Sequence, residues 1–154
     1  MYSKEATKRF LAKRVARPAS AGVIVENDEG KALVLKAHYK PYWSFPGGWI
    51  EHGQTPRMAA LRELEEETSL VLDEDDVSFA LTVARHSDIM QTYQFIFKAN
   101  EPVDVNAEIT LQANEIAEYA FVSKQQVNDE PLVYGGAVQA WAAGDEAGYY
   151  EQEM

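Results

Sequence analysis

The chain has 154 residues, 46% of them hydrophobic and 11% aromatic, enough for one globular domain with a real core. It holds no cysteine, which excludes disulfides, thiolate nucleophiles and Cys-ligated zinc. The formal net charge of −11 argues against a nucleic-acid groove, which needs a basic surface.

That charge is uneven. Residues 1–17 hold six Lys/Arg and one Glu, about +5, which leaves about −16 for the remainder. An acidic body still admits a small phosphorylated substrate if a bound metal supplies local positive charge. No apolar run approaches a membrane span and the first residues lack a signal-peptide core, so no membrane partner is expected. The cysteine-free composition is compatible with a cytoplasmic location.

Taken in order, residues 1–18 form a basic arm. Within it Ser3–Val15 reads as a short helix or a disordered segment, with a narrow apolar stripe at Phe10 and Leu11. A solvated arm packing lightly on the body is the plain reading. A subunit contact is the second and RNA binding a distant third. Ala19–Glu26 is predicted as a strand, Asn27–Gly30 as a turn, and Lys31–Lys36 as the returning strand of a hairpin. His38–Trp43 is aromatic and broken by Pro41. Trp43-Ser44-Phe45 is predicted as a short strand that Pro46-Gly47-Gly48 stops.

Thr55 suits an N-cap and Pro56 the first helical position, so a helix is predicted to about Thr68. Ala60, Leu61, Leu64 and Thr68 give it a buried face. After the acidic loop Asp73–Asp76, strands are predicted at Val77–Arg85 and Met90–Lys98, joined through His86-Ser87-Asp88. In the second, Tyr93, Phe95 and Phe97 alternate with Gln94, Ile96 and Lys98. Residues 99–114 read as a long loop, which in a small domain hints at function. Glu118–Val122 reads as a strand, Ser123 as the cap of a turn to Val127, and Gly136–Ala143 as a short helix. Residues 144–154 read as an acidic, frayed tail.

The chemistry concentrates at the end of the long helix. Glu63, Glu66 and Glu67 stand at i, i+3 and i+4, so three carboxylates share a helix face and raise one another's pKa. A hard divalent cation would reverse that repulsion. The plain alternative is a helix with a solvated acidic face, which the charge run alone would favour.

The register of the surrounding residues tips the balance. Gly48, Arg62-Glu63-Leu64, Glu66-Glu67 and Leu70 follow the pattern G-x5-E-x7-R-E-U-x-E-E-x-G-U, where U is a bulky aliphatic, and Trp43-x-Phe45-Pro46-Gly47-Gly48 leads into it. This stretch resembles the signature of the Nudix hydrolases. Two positions depart from the pattern: Gln54 replaces a glutamate and Ser69 a glycine. With flanking strands, the resemblance reaches from Ala19 to Val122. It implies an α/β (α+β) fold, an α/β/α sandwich with a mixed sheet between helices, and places a hydrolase domain at residues 19–143.

The resemblance also implies an activity: metal-dependent hydrolysis of a diphosphate linkage in a nucleoside diphosphate derivative, by water attack at phosphorus. The compound would be a nucleoside triphosphate or of the ADP-ribose type. Glu63, Glu66 and Glu67, with the carbonyl of Gly47, are the implied ligands of Mg²⁺, with Mn²⁺ possible. Arg62 would orient a box glutamate through a bidentate pair. The general base is Glu63 first, Glu115 second and Glu108 third. Glu115 is also a possible further ligand. Gln54 brings no charge to the loop, and Ser69 would take a left-handed backbone at a cost of about 1 kcal/mol.

A base needs a flat partner. Tyr39 and Tyr42, beside Lys40, are the candidates, while Trp43 and Phe95 look like packing residues; Trp49 and Tyr93 are also aromatic. Lys40 or Arg85 would meet a phosphate. His38, His52 and His86 read as surface groups. The partner is therefore a small nucleotide-type molecule, and the protein a monomer or homodimer. A weak or silent nucleotide-binding domain is the alternative that Gln54 and Ser69 leave open. An interaction module built on the arm and the aromatic loop is a third.

Overall fold

The turn at Asn27–Gly30 forms because the Asn27 side chain accepts hydrogen bonds from the N–H groups of Glu29 and Lys31, both at 3.0 Å. Gly30 takes the left-handed backbone, φ 75°. This is the geometry of a computed structural model, which describes residues 2–144 and 148–154. Strands β1 (Ala19–Ile24) and β2 (Ala32–Ala37) flank the turn. They begin as the predicted hairpin, with Glu26 bridged to Ala32 and the Leu33 N–H donating to the Val25 carbonyl at 2.8 Å. Beyond the turn they part and enter different sheets.

β1 joins a five-stranded sheet with β3 (Gly47–Trp49), β4 (Val77–His86), β5 (Gln91–Ala99) and β7 (Tyr149–Glu153). The order is β3-β1-β5-β4-β7, parallel at β1–β5 and β4–β7 and antiparallel elsewhere. β2 pairs antiparallel with β6 (Ile116–Val122) as a separate two-stranded sheet.

Two expectations are corrected here. Residues 43–45 form no strand: Trp43 and Ser44 make isolated bridges, and the strand lies at Gly47–Trp49 instead. The end of the chain carries β7 where a frayed tail was expected, because parallel pairing with β4 supplies its hydrogen bonds. Residues 145–147 of that tail lie outside the described residues.

Four helices complete the architecture: α1 (Lys4–Ala12), α2 (Pro56–Thr68), α3 (Lys124–Asp129) and α4 (Gly136–Ala143). α2 starts where its cap places it, the Thr55 hydroxyl accepting from the Met58 N–H at 3.2 Å. It buries Ala59, Ala60 and Leu64 against Ala21, Val23 and Phe97 of the central sheet and Val25 just beyond β1. On the other side Val127, Val138 and Trp141 of α3 and α4 pack on Ile24, Leu81, Val83 and Ile96. The mixed sheet thus lies between helices, as expected. Truncating Leu64, which is fully buried, to alanine would cost about 2–5 kcal/mol. Residues 100–115 carry no regular element, yet Val103, Ile109 and Leu111 pack against the α2 side of the core. No helix among the described residues is long and apolar enough to cross a membrane.

Candidate active site

β3 is made of glycine for a spatial reason. A Cβ on Gly47 would stand 2.4 Å from the Ala21 carbonyl oxygen and 2.8 Å from the Gly22 Cα. That close approach turns the Gly47 N–H towards α2, where it donates to Glu67 Oε1 at 2.8 Å. Glu67 is 7% exposed. Burial raises its pKa to about 8 against the pull of that N–H, with the neighbouring charges of Glu63 and Glu115 adding to the rise and Lys40 opposing it.

Arg62 divides the other carboxylates. Its Nη2 donates to Glu63 Oε1 at 2.8 Å, while Nη1 donates to both oxygens of Glu66 at 3.1 Å. Glu51 lies 3.7 Å from the same guanidinium. Partial burial raises the pKa of Glu63, with Glu66 and Glu115 adding and Arg62 opposing. The backbone spacing puts residues 63, 66 and 67 on one side of the helix, but the side chains separate. Glu63 and Glu67 border Gly48 and Gly47, and Glu66 turns to Arg62. No cluster of three or more His, Asp or Glu side chains is gathered closely enough to hold a metal among the described residues.

The chemistry of the donors nevertheless fits a hard divalent cation. Glu67 is a desolvated carboxylate with one amide partner and no ion pair among the described residues, and the carboxylates of Glu63 and Glu115 act on it.

Three loops close on this point. In the aromatic loop, burial lowers the pKa of Lys40, and Arg85 acts in the same direction against Glu67 and Glu63. The Lys36 ammonium donates to the Lys40 carbonyl and fixes the loop. Tyr39 feels Glu115, Glu67 and Glu63, which add to the rise in its pKa that burial causes. Tyr42 lies on Gly135, with ring carbons 3.3 Å from where a Cβ would be. The second loop brings Glu115. The His38 N–H donates to the Glu115 carbonyl at 2.9 Å, and the His38 ring N–H donates from Nε2 to the Ala113 carbonyl at 2.9 Å. Glu108, earlier on that loop, makes none of these contacts. Arg85, on β4, is half-buried, and its Nε has no hydrogen-bond partner.

The third loop, which leads into α2, carries one departure from the signature, and the C-cap at the far end of that helix carries the other. Gln54 Oε1 accepts from the Glu51 N–H at 3.0 Å, so the amide supports the loop without charge. Ser69 adopts the left-handed backbone, φ 65°, and its hydroxyl donates to the Thr110 carbonyl at 3.2 Å. Lys36 and His38 as loop anchors were not found from sequence. Their partners are backbone carbonyls, which leave no trace in side-chain spacing.

A mixed sheet between helices, with a glycine strand set against a carboxylate-bearing helix, defines an α/β/α domain built around an acidic loop–helix site. The NUDIX domain model matches residues 16–139, and the chain belongs to the Nudix family. It is 41% identical over 51 residues to the RNA pyrophosphohydrolase of Hydrogenovibrio crunogenus, covering 33% of this chain and 31% of that protein. It is 40% identical over 68 residues to the ADP-ribose pyrophosphatase of Bacillus subtilis, covering 42% of this chain and 35% of that protein. The chain thus spans about a third of the length of these curated relatives. A MutT protein from Methanosarcina mazei Go1 superposes with a TM-score of 0.69 at 19% identity, over 85% of this chain and 95% of that one.

Proposed function

We propose that this domain hydrolyses a diphosphate linkage in a nucleoside diphosphate derivative, a nucleoside triphosphate or an ADP-ribose-type compound. The observation that carries the reading is Glu67, a buried carboxylate on the Gly47 N–H with Glu63 and Glu115 beside it. Glu63, Glu66 and Glu67, with the Gly47 carbonyl, would hold Mg²⁺ or Mn²⁺. When bound, such an ion supplies charge neutralisation on the diphosphate and polarisation at phosphorus.

The chain's own residues do the rest. Arg62 orients Glu63 and Glu66. Glu63 takes the proton of the attacking water, with Glu115 as the second candidate, held over the site by His38. Lys40 and Arg85, two cations that lack ion-pair partners among the described residues, receive a phosphate. Tyr39, 71% exposed and with the Lys40 ammonium 5.7 Å over its ring, offers its open face to stack on a base. Tyr42 borders the same loop.

The test is a panel of nucleoside di- and triphosphate derivatives with Mg²⁺ or Mn²⁺, read by the mass of the products. Loss of turnover in Glu67→Gln is expected. Full turnover in that variant removes the site from the reaction. A second reading is a domain that binds such a ligand and turns it over weakly or not at all. The turn of Glu66 towards Arg62 and the neutral Gln54 favour it. A ligand-dependent rise in melting temperature without product would support it.

A further inference from the structure

We infer that α1 docks on a second copy of this chain, in the groove between Tyr93 and Tyr149. Two observations, each unexplained by the site above, meet in this reading.

The first is the helix. α1 has nine residues and buries none of them. Isolated helices of that length are marginal in water, so a partner surface is the ordinary source of their stability. Ala6 with Phe10 and Thr7 with Leu11 are i, i+4 pairs and form one stripe. Phe10 and Leu11 remain 57% and 59% exposed. Lys4 and Lys8 border the stripe on one side, Arg9 and Lys13 on the other.

The second is the groove. Ala84 pairs across the sheet with Tyr93 on β5 and Glu151 on β7, and Thr82 pairs with Tyr149. Side chains of paired residues share a face. The small Ala84 is thus the floor between two tyrosines, 37% and 52% exposed, and the hollow is about 570 Å³. Glu151 and Glu153 line its rim on β7, with His86 and Gln91 at the end. Arg85 and Gln152 also line the hollow, but they alternate with the residues named and belong to the other face of the sheet.

Charge selects the occupant. The arm carries about +5 and the rest of the chain about −16, so each copy offers a basic apolar stripe and an acidic aromatic groove to the next. The linker favours exchange between copies. Pro18 accepts from the Tyr93 N–H at 3.2 Å, so the arm leaves the sheet beside the groove. Arg17 precedes a proline, which disfavours a helical turn there, and α1, with no residue buried, is not packed into its own sheet.

The experiment is the mass in solution of the full chain, by light scattering after gel filtration. A mass of two chains of 17.3 kDa each is expected at low ionic strength. The dimer should dissociate at about 0.5 M NaCl, where the Debye length falls to about 4 Å. Arm-reversed protein (Lys8→Glu with Arg9→Glu) and groove-reversed protein (Glu151→Lys with Glu153→Lys) should each be monomeric with an unchanged circular dichroism spectrum. Mixing the two should restore a dimer, which shows that neither variant had merely unfolded. A monomeric wild type overturns the proposal, including one whose arm folds back on its own groove or binds phosphatidylserine vesicles. A dimer indifferent to either variant, or failure of the mixture to reassemble, also overturns it.

Discussion

Gly48 lies against the carboxylate of Glu63: a Cβ at that position would stand 2.5 Å from both its Cδ and its Oε1. The glycine is needed there for the space it leaves, since its φ is not positive. Gly48→Ala should push Glu63 off Arg62 and displace it by a sizeable fraction of an ångström. A misplacement of about 1 Å can cost roughly a hundredfold in rate. A fall in kcat/KM approaching that size, with a melting temperature within a few degrees of the parent, is the expected outcome. Undiminished turnover would show that Glu63 has slack.

Glu67 makes stability depend on pH. Its folded pKa, about 8, lies above the usual 4.5 because burial disfavours the carboxylate. The folded state therefore holds a proton that the unfolded chain releases between these values. Metal-free protein should lose stability as pH rises from 4.5 to about 8 and level off above that, by about a few kcal/mol from this group. Glu63, also raised, acts in the same direction. Thermal melts in chelator across that range should show the slope, and Glu67→Gln should flatten it. A wild-type profile that is flat or rises would refute the assignment.

Mg²⁺ should reverse that loss. A cation that binds only the folded, ionised site stabilises in proportion to the logarithm of its concentration over Kd. The largest rise in melting temperature is expected near pH 8, and little near pH 5. Equal shifts at both pH values would place the binding elsewhere.

Ser69 occupies a left-handed position at φ 65°. Ser69→Gly removes a backbone penalty of about 1 kcal/mol and gives up one exposed hydrogen bond to Thr110. A net gain of roughly 0.5 kcal/mol in urea unfolding is expected, whereas Ser69→Val should lose about 1–2 kcal/mol.

His38 bears on Glu115 through two backbone carbonyls. His38→Ala should free residue 113 and lower kcat by about tenfold, a small part of what general-base catalysis supplies. Its melting temperature should move little, since the ring is exposed. His38→Gln, which can still donate, should recover part of the rate. An unchanged kcat in the alanine variant would mean that the loop holds itself.

What the sequence made legible follows from how local each signal is. The Thr55 cap, the turn at Asn27 and the alternation of Phe95 and Phe97 are fixed within a few residues, and they stand where the sequence placed them. β3 was hidden because Gly47 and Gly48 have no strand propensity. Their place in the sheet is set by Ala21 and Glu63, far off in sequence. β7 was hidden because Tyr149–Glu153 shows no buried face and gains its order from parallel pairing to β4. At the site, the spacing located the three glutamates but not their parting, since only the fold shows Arg62 drawing Glu66 aside.

The carbonyls of Glu67 and Thr68, at the open end of α2, accept from the N–H groups of Gln112 and Thr110 at 3.2 and 3.1 Å. The loop is thereby stitched to the last turn of the helix, and the segment reaching Glu115 travels with Glu63 and Glu67 as one piece. Length changes between residues 100 and 109 fall outside those stitches. An insertion there would leave the acidic groups at their spacing, whereas a single deletion between 110 and 115 would put them out of register.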